Sequence, residues 1–534
     1  MADTTLDAAA TEPEIIVEPV TRLRVRRDIW LEAAALAVLA SLVFFVHPFG
    51  YIMHRPYWGD EAWVAVLSKA PLTQWVSLSS STPIGWLLIL RWAPLGRNDL
   101  RIVPLLFSAG DVAMAYVIAR NLPWRTPTTA RVAGCVAGVV VLLAPIALLR
   151  NDLKQYTGDA FFALVVIAVT CRVDAFPTRR NLTLLVATSA VSIFFSTAAA
   201  FVVAAVFGAL AINALASRST ARIRDLAIGG AAAFVFVGVY FRLVILPHDN
   251  TALRSYWKAY YLPERGRLLL SVAWQRLERL APVLAMPAWL LVALVVVGMI
   301  VLAGFGRPSV ALAVPILWAE MLMAGVGNKY PFLDQRTSHF ILILSLTIAA
   351  IGVAGIVAIA AARSRVLAGV LIVGAAFGFV HNAQPYIRYR SFPNEDVRSQ
   401  VLYVAQHFQR GDVMLVSWQS DWGFTYYWPG GERRYEVDRS GKNSNGFFTR
   451  LANQPDIIYA QGRAQADTTG TMQQALALAR TPVATGRIWL IRTHVNPGER
   501  QAWGQTFKSY GLTPLTIRVG TEPVLLINTR HVPA

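Results

Sequence analysis

The apolar residues of this chain are gathered into blocks, and the length of those blocks constrains the fold more than any other feature. They run near Ile29–Val46, Ile102–Ala119, Val132–Leu149, Ala160–Cys171, Leu182–Phe195, Ala198–Ala214, Leu226–Leu246, Pro287–Phe305, Ser309–Val326, Phe340–Ala361 and Val366–Val380. A helix needs about 17–25 apolar residues to cross roughly 30 Å of hydrocarbon. The stretch from Leu182 to Ala214 would make a helix of roughly 50 Å at about 1.5 Å per residue. That is too long for one crossing, so a hairpin is expected at Ser196-Thr197. Block counting therefore predicts a polytopic α-helical membrane protein with about 11 crossings. Composition agrees: 55% of the 534 residues are hydrophobic and 15% are charged, against about 45–50% and about 25% in soluble domains.

Arginines set the expected orientation. Arg22, Arg24, Arg26 and Arg27 precede the first block, and no small-residue cleavage pattern follows it, so it reads as a retained helix with a cytoplasmic N-terminus. Residues 1–28 read as a disordered cytoplasmic tail. Short connections on the same side carry Arg125 and Arg131, then Arg172, Arg179 and Arg180, then Arg218, Arg222 and Arg224, then Arg307, then Arg363 and Arg365. An odd number of crossings places the polar tail, 384–534, outside the cytoplasm. The net charge of +18 is spread through membrane loops, which points to anionic headgroups and phosphates and away from nucleic acid. Cys135 and Cys171 both lie in or beside apolar blocks and give no disulfide framework.

The tail alternates helical and strand patterns. Asn394–Gln409 reads as an amphipathic helix with Glu395 and Asp396 in its acidic first turn, and 501–510 as another helix. Segments 412–417, 486–492 and 524–528 read as buried strands, so a small α/β layered domain is expected.

Four outer segments, 48–100, 150–159, 247–286 and 327–338, hold the candidate chemistry. Tyr57-Trp58-Gly59-Asp60-Glu61-Ala62-Trp63 sets two carboxylates among aromatics. They suit the positive end of a helix dipole, or a general base whose proton affinity is raised by burial. Asp152-Leu153-Lys154-Gln155-Tyr156 lies in a turn between crossings, with Asp159 at the start of the next. Lys154 is a snorkelling anchor or a phosphate donor. Tyr330-Pro331-Phe332 and Arg336 precede another crossing, and Arg336 is an interfacial anchor or a two-pronged phosphate ligand. Ile84–Trp92 is too short to cross and reads as an interfacial helix with Trp86 and Trp92 at headgroup level.

Taken together, these segments resemble the polytopic glycosyltransferases of the GT-C fold, specifically bacterial relatives of the protein O-mannosyltransferases and the lipid A aminoarabinose transferase. Asp60-Glu61 looks like the family's acidic pair in the first outer loop. Leu100-Arg101-Ile102-Val103-Pro104 resembles the opening of its second crossing. Leu153-Lys154-Gln155-Tyr156 and Tyr330-Pro331-Phe332 with Arg336 are similar to two further signatures. Thr82 stands where the family usually has His in a His-Pro-Pro segment. The likeness spans residues 29–383 and implies a sugar carried on a polyprenyl phosphate, moved to an extracytoplasmic glycan, lipid or protein. It implies Asp60 as base, Glu61 as its partner, Lys154 and Arg336 on the phosphate, and Tyr156 lining the donor site. His54 and Arg55 are additional candidate contacts. Gln155 and Tyr330 belong to the same motifs. No cofactor is expected to be required, although Asp60, Glu61 and Asp152 are the right ligand type for a divalent metal. The implied location is a bacterial plasma membrane. The competing reading is a transporter or flippase, in which buried charges mark a substrate path.

Overall fold

The structure is a computed structural model that describes residues 19–530, apart from positions 80, 97–98, 150–151, 249–250, 265, 389–394, 441–442, 444–445 and 494. Most of the N-terminal tail, together with Ser80, Arg150, Asn151 and Asn394, therefore lies outside the described residues.

The eleven apolar blocks are helical, although Val132–Leu149 is broken at Ala144 between helices Pro127–Leu143 and Pro145–Leu149. The first helix is longer than the block and starts at Pro19, so it takes in the basic segment. The expected break at Ser196 is present: helices Arg179–Phe195 and Ala199–Ala216 flank it, and the Ser196 hydroxyl accepts the Ala199 amide at 3.1 Å. Among the described residues six helices meet a strict length-and-apolarity test for crossing, and seven if a bent pair is one span. The remaining blocks are short, as in Pro127–Leu143, or carry charge, as Tyr156–Ala175 does with Asp159, Arg172 and Asp174.

Helix His339–Arg363 runs through the middle of the bundle and is buried along most of its length. Glycines make its close approach to helix Ala288–Gly304 feasible. A Cβ on Gly298 would stand 2.1 Å from the Ile348 carbonyl oxygen, and one on Gly352 would stand 2.4 Å from that of Leu294. Without a hydrophobic drive between helices in lipid, small residues at crossings let backbones touch.

Segment 48–100 folds into short helices at one end of the bundle, including Gly59–Leu67 and Ile84–Trp92. The latter is present as expected, but Trp86 is not at headgroup level. It is fully buried, its indole donates to the Leu153 carbonyl at 2.9 Å, and it packs on Phe107. An indole with a carbonyl within reach satisfies its one donor inside the protein. Trp92 stays 64% exposed.

The C-terminal region is α/β. Strands β1 (Val413–Val416), β2 (Arg433–Val437), β3 (Phe447–Leu451), β4 (Ile457–Tyr459), β5 (Arg487–Ile491), β6 (Leu515–Val519) and β7 (Glu522–Asn528) form a five-stranded sheet in the order β4-β1-β5-β7-β6 and a separate β2–β3 hairpin. β1 is parallel to both β4 and β5, and β7 is antiparallel to β5 and β6. The helix expected over 394–409 runs from Val397 to His407. Asp396 is its cap and accepts the Ser399 amide. Glu395 serves another helix: its carboxylate accepts the Gly59 amide at 2.9 Å. A single apolar cluster joins Trp63, Trp75 and Trp86 to Val401, Trp422, Phe424 and Phe447, so segment 48–100 and the C-terminal sheet share a core.

Candidate active site

The helix Gly59–Leu67 carries the acidic pair, and one residue step sends the two carboxylates to different places. Glu61 is fully buried. Arg101 clamps it with Nε to Oε1 at 2.7 Å and Nη2 to Oε2. The Leu153 amide donates to it at 3.1 Å, and Arg55 stands 3.5 Å away. Arg101 spends its other donors on the carbonyls of Ile52, Arg55 and Pro56. Burial works to raise the proton affinity of Glu61, but Arg101 and Arg55 outweigh it and hold the carboxyl below its ordinary range. The reading of the pair as carboxylates with raised proton affinity is therefore overturned at Glu61.

Asp60, by contrast, faces a cavity of about 1390 Å³. The cavity walls also include Lys154, Gln155, Tyr156, Tyr330 and Arg336. The three motifs separated by more than 270 residues thus meet in one space. Arg336 Nη1 lies 3.5 Å from Asp60 Oδ2. Lys154 Nζ sits 3.5 Å from the centre of the Trp63 ring. Burial pulls the Lys154 ammonium down to about 8, with Asp60 and Asp152 opposing that fall and Arg336 adding to it. Two cations facing one cavity repel unless an anion lies between them; here Asp60 supplies part of that countercharge.

Local structure holds these groups in place. The Asp334 carboxylate accepts the amides of Arg336 and Thr337 at 3.0 and 3.1 Å, a side-chain turn that shapes the loop. Leu333 is left-handed at φ 56°, a conformation costing about 1–2 kcal/mol outside glycine. Tyr330 donates to the Thr337 carbonyl at 2.9 Å, and Gln155 to the Ser81 carbonyl at 2.9 Å.

Besides Glu61, four of the candidate residues do not reach the cavity. His54 ends the six-residue helix Phe49–His54, is exposed, and turns its Nδ1 onto the Gly50 carbonyl at 2.6 Å. Arg55 is buried and ion-paired with Glu61 and, at 3.7 Å, with Asp152. Asp152 is buried on the same arginine. Asp159 is buried inside its helix beside Ser196. The carboxylates with the right chemistry for a metal are therefore split: Asp60 opens on the cavity while Glu61 and Asp152 are held by arginines. Among the described residues no group of three or more His, Cys, Asp or Glu side chains has the spacing of a metal site.

Other lining residues carry no motif. Tyr256 and Trp257, from helix Thr251–Trp257, flank Arg336: Tyr256 accepts from Nη2 at 2.9 Å, and the guanidinium lies 5.3 Å from the Trp257 ring centre. The adjacent aromatics Tyr256-Trp257 within segment 247–286 were the available signal. Glu320 also lines the cavity, with one carboxylate oxygen shielded and unpaired in the protein. Trp418, Gln419, Gln461 and Arg463 approach from the C-terminal sheet.

No family model matches the sequence, and no curated protein matches it. Solved structures do match. The oligosaccharyltransferase AglB of Archaeoglobus fulgidus, in complex with an inhibitory peptide and a dolichol-phosphate, aligns at 10% identity and TM-score 0.54 over 94% of this chain and 75% of its own. The same organism's oligosaccharyltransferase in complex with Zn and sulfate aligns at 10% identity and 0.52, over 85% and 67%. ArnT of Cupriavidus metallidurans in the apo state aligns at 14% identity and 0.52, over 93% and 98%. These neighbours are GT-C glycosyltransferases, and the polytopic bundle with its C-terminal α/β domain is the same architecture: this chain has the GT-C fold.

Proposed function

We propose that the chain is a membrane glycosyltransferase that takes a sugar from a polyprenyl-phosphate donor and passes it to a hydroxyl acceptor on the outer face of a bacterial plasma membrane. The observation that carries this reading is the convergence of Asp60, Lys154 and Arg336 on one cavity. A structural neighbour described with dolichol-phosphate supports a lipid-phosphate donor.

The chemistry follows from what each group offers. Phosphate is a good leaving group, so the glycosidic oxygen needs charge stabilisation more than a proton. Lys154 and Arg336 supply it, the arginine through two parallel donors. Asp60 takes the proton of the acceptor hydroxyl as its oxygen attacks the anomeric carbon and the bond from that carbon to the phosphate oxygen breaks. One displacement inverts the anomeric centre. Donor phosphate draws Arg336 from Asp60, which frees the carboxylate for the acceptor. Tyr156 and Tyr330 form the wall behind the two cations. A metal is given no step, because Glu61 and Asp152 are committed to arginines.

Mass spectrometry of lipids retained by the detergent-solubilised protein tests the donor. A polyprenyl phosphate or its glycoside is expected, and it should be lost from the Lys154→Ala, Arg336→Ala double variant. Retention of bulk phospholipids alone by the wild type would sink the donor assignment.

A further inference from the structure

We propose that the C-terminal domain supplies the acceptor subsite of the cavity and that its ligand is a neutral glycan; this rests on the glycosyltransferase reading above. The argument begins with strand direction. β4, β1 and β5 are parallel, and β1 lies between the other two. The chain leaves β1 to reach β4 on one side, then crosses to β5 on the other. In open α/β sheets such a reversal opens a crevice at the carboxyl ends of the strands, and ligands bind there. The residues this domain contributes to the cavity come mainly from the loops after β1 and β4: Trp418 and Gln419 follow β1, and Gln461 and Arg463 follow β4. The sheet turns its binding edge toward Asp60.

The chemistry of that wall selects the ligand. Its charged groups, Arg463 and Asp467, already make contacts within the domain. Arg463 pairs with Glu499 at 3.2 Å and donates to the Gln419 carbonyl oxygen at 2.5 Å. Asp467 accepts the Ala464 amide at the start of its own helix. An anionic acceptor would meet one arginine that already faces Glu499, with the Asp467 carboxylate on the same wall. The two amides are left complementary. Gln419 has its oxygen occupied and its NH2 group available, while Gln461 donates to the Tyr459 carbonyl at 3.1 Å and keeps its oxygen as an acceptor. Such a pair suits neighbouring hydroxyls, each of which both donates and accepts. Trp418, set edge-on to Phe448, adds an indole for the C–H face of a sugar ring. Trp58 lines the same cavity from the Asp60 side. It is 8% exposed, and its indole N–H is buried without a hydrogen-bond partner, a donor awaiting a ligand oxygen.

The test uses the full-length protein in nanodiscs and saturation-transfer NMR. The probes are neutral gluco-, manno-, galacto- and arabino-tetrasaccharides, with sulfated tetrasaccharides and tetrapeptides as controls. A neutral tetrasaccharide should bind, with saturation strongest on ring C–H protons. Trp418→Ala and Gln461→Ala should each weaken it about tenfold, the equivalent of about 1.4 kcal/mol. Gln461 is exposed, so its variant reports on binding even if the tryptophan variant misfolds. Absence of neutral-glycan binding, binding unaffected by Gln461→Ala, or tighter binding of the peptides or sulfated sugars overturns the proposal. Undecaprenyl-phosphate binding is measured on the same samples. Lipid-phosphate binding without glycan binding rejects the acceptor assignment alone; glycan binding without lipid-phosphate binding rejects the transferase reading instead.

Discussion

Two clusters of charge lie one residue apart in sequence and behave as opposites. Around Glu61, Arg101 and Arg55 join Asp152 in a buried group where the Glu61 oxygens receive two arginines and backbone amides. Asp60 meets Arg336 at 3.5 Å with no two-pronged clamp, and Asp60, Lys154 and Arg336 face open volume. Buried charges that are fully paired hold a structure but have no capacity left for a ligand. Charges held apart over a cavity retain that capacity. The comparison teaches that adjacency in a motif says little about role; saturation by neighbours decides it.

The largest expected effect breaks the buried cluster. Glu61→Gln leaves Arg101 buried without its countercharge, and removing one partner of a buried pair costs about 3–5 kcal/mol. Thermal unfolding in detergent should drop sharply, and a variant as stable as wild type would erase the distinction between the clusters. Asp60→Asn should do the reverse: near-wild-type stability, with turnover down about 10²–10⁴-fold, the usual worth of a general base. Transfer from a synthetic polyprenyl-phosphate sugar measures it, and normal turnover removes Asp60 from the chemistry.

Smaller effects sharpen the comparison. Lys154 is protonated below about 8 and binds an anion in that form. Donor affinity should therefore be level below about pH 7, fall about twofold by pH 8, and decline more steeply above, approaching about tenfold per pH unit. Lys154→Arg should flatten the profile, since guanidinium stays charged. An unchanged slope in that variant would show that another group titrates. Smallest of all, Tyr256→Phe deletes one hydrogen bond to Arg336, worth about 1–3 kcal/mol with a charged partner. It should raise the donor dissociation constant while leaving stability alone; a stability loss with donor affinity intact would make Tyr256 purely structural.

The helix bundle was legible because crossing length and apolarity are properties of a segment by itself. Motif order likewise located Asp60, Lys154 and Arg336, since each sits beside a crossing at one end of the bundle. Side-chain direction was not legible. Trp86 and Trp92 looked alike, yet only the first finds a carbonyl inside the protein. His54 and Arg55 sit close to Asp60, yet one turns to its own helix and the other into the buried cluster. In the tail, buried β1, β5 and β7 announced themselves by apolar runs. Edge strand β6 is largely exposed, and helix Gln465–Ala479 is rich in Ala, Thr and Gln, so neither stood out.

The link between Glu395 and Gly59 bears on how the molecule is made. The amide it caps begins the Asp60 helix; nearby, the Tyr57 amide donates to the Tyr427 hydroxyl and the Tyr435 hydroxyl to the Val66 carbonyl. These contacts span 336 to 370 residues. At about 5–20 residues per second, a ribosome emits the last of those partners tens of seconds after the first. A nascent chain inserted in the bilayer therefore carries an Asp60 helix without these partners until the C-terminal α/β region has been made and folded, and a chain terminated before that region would never acquire them.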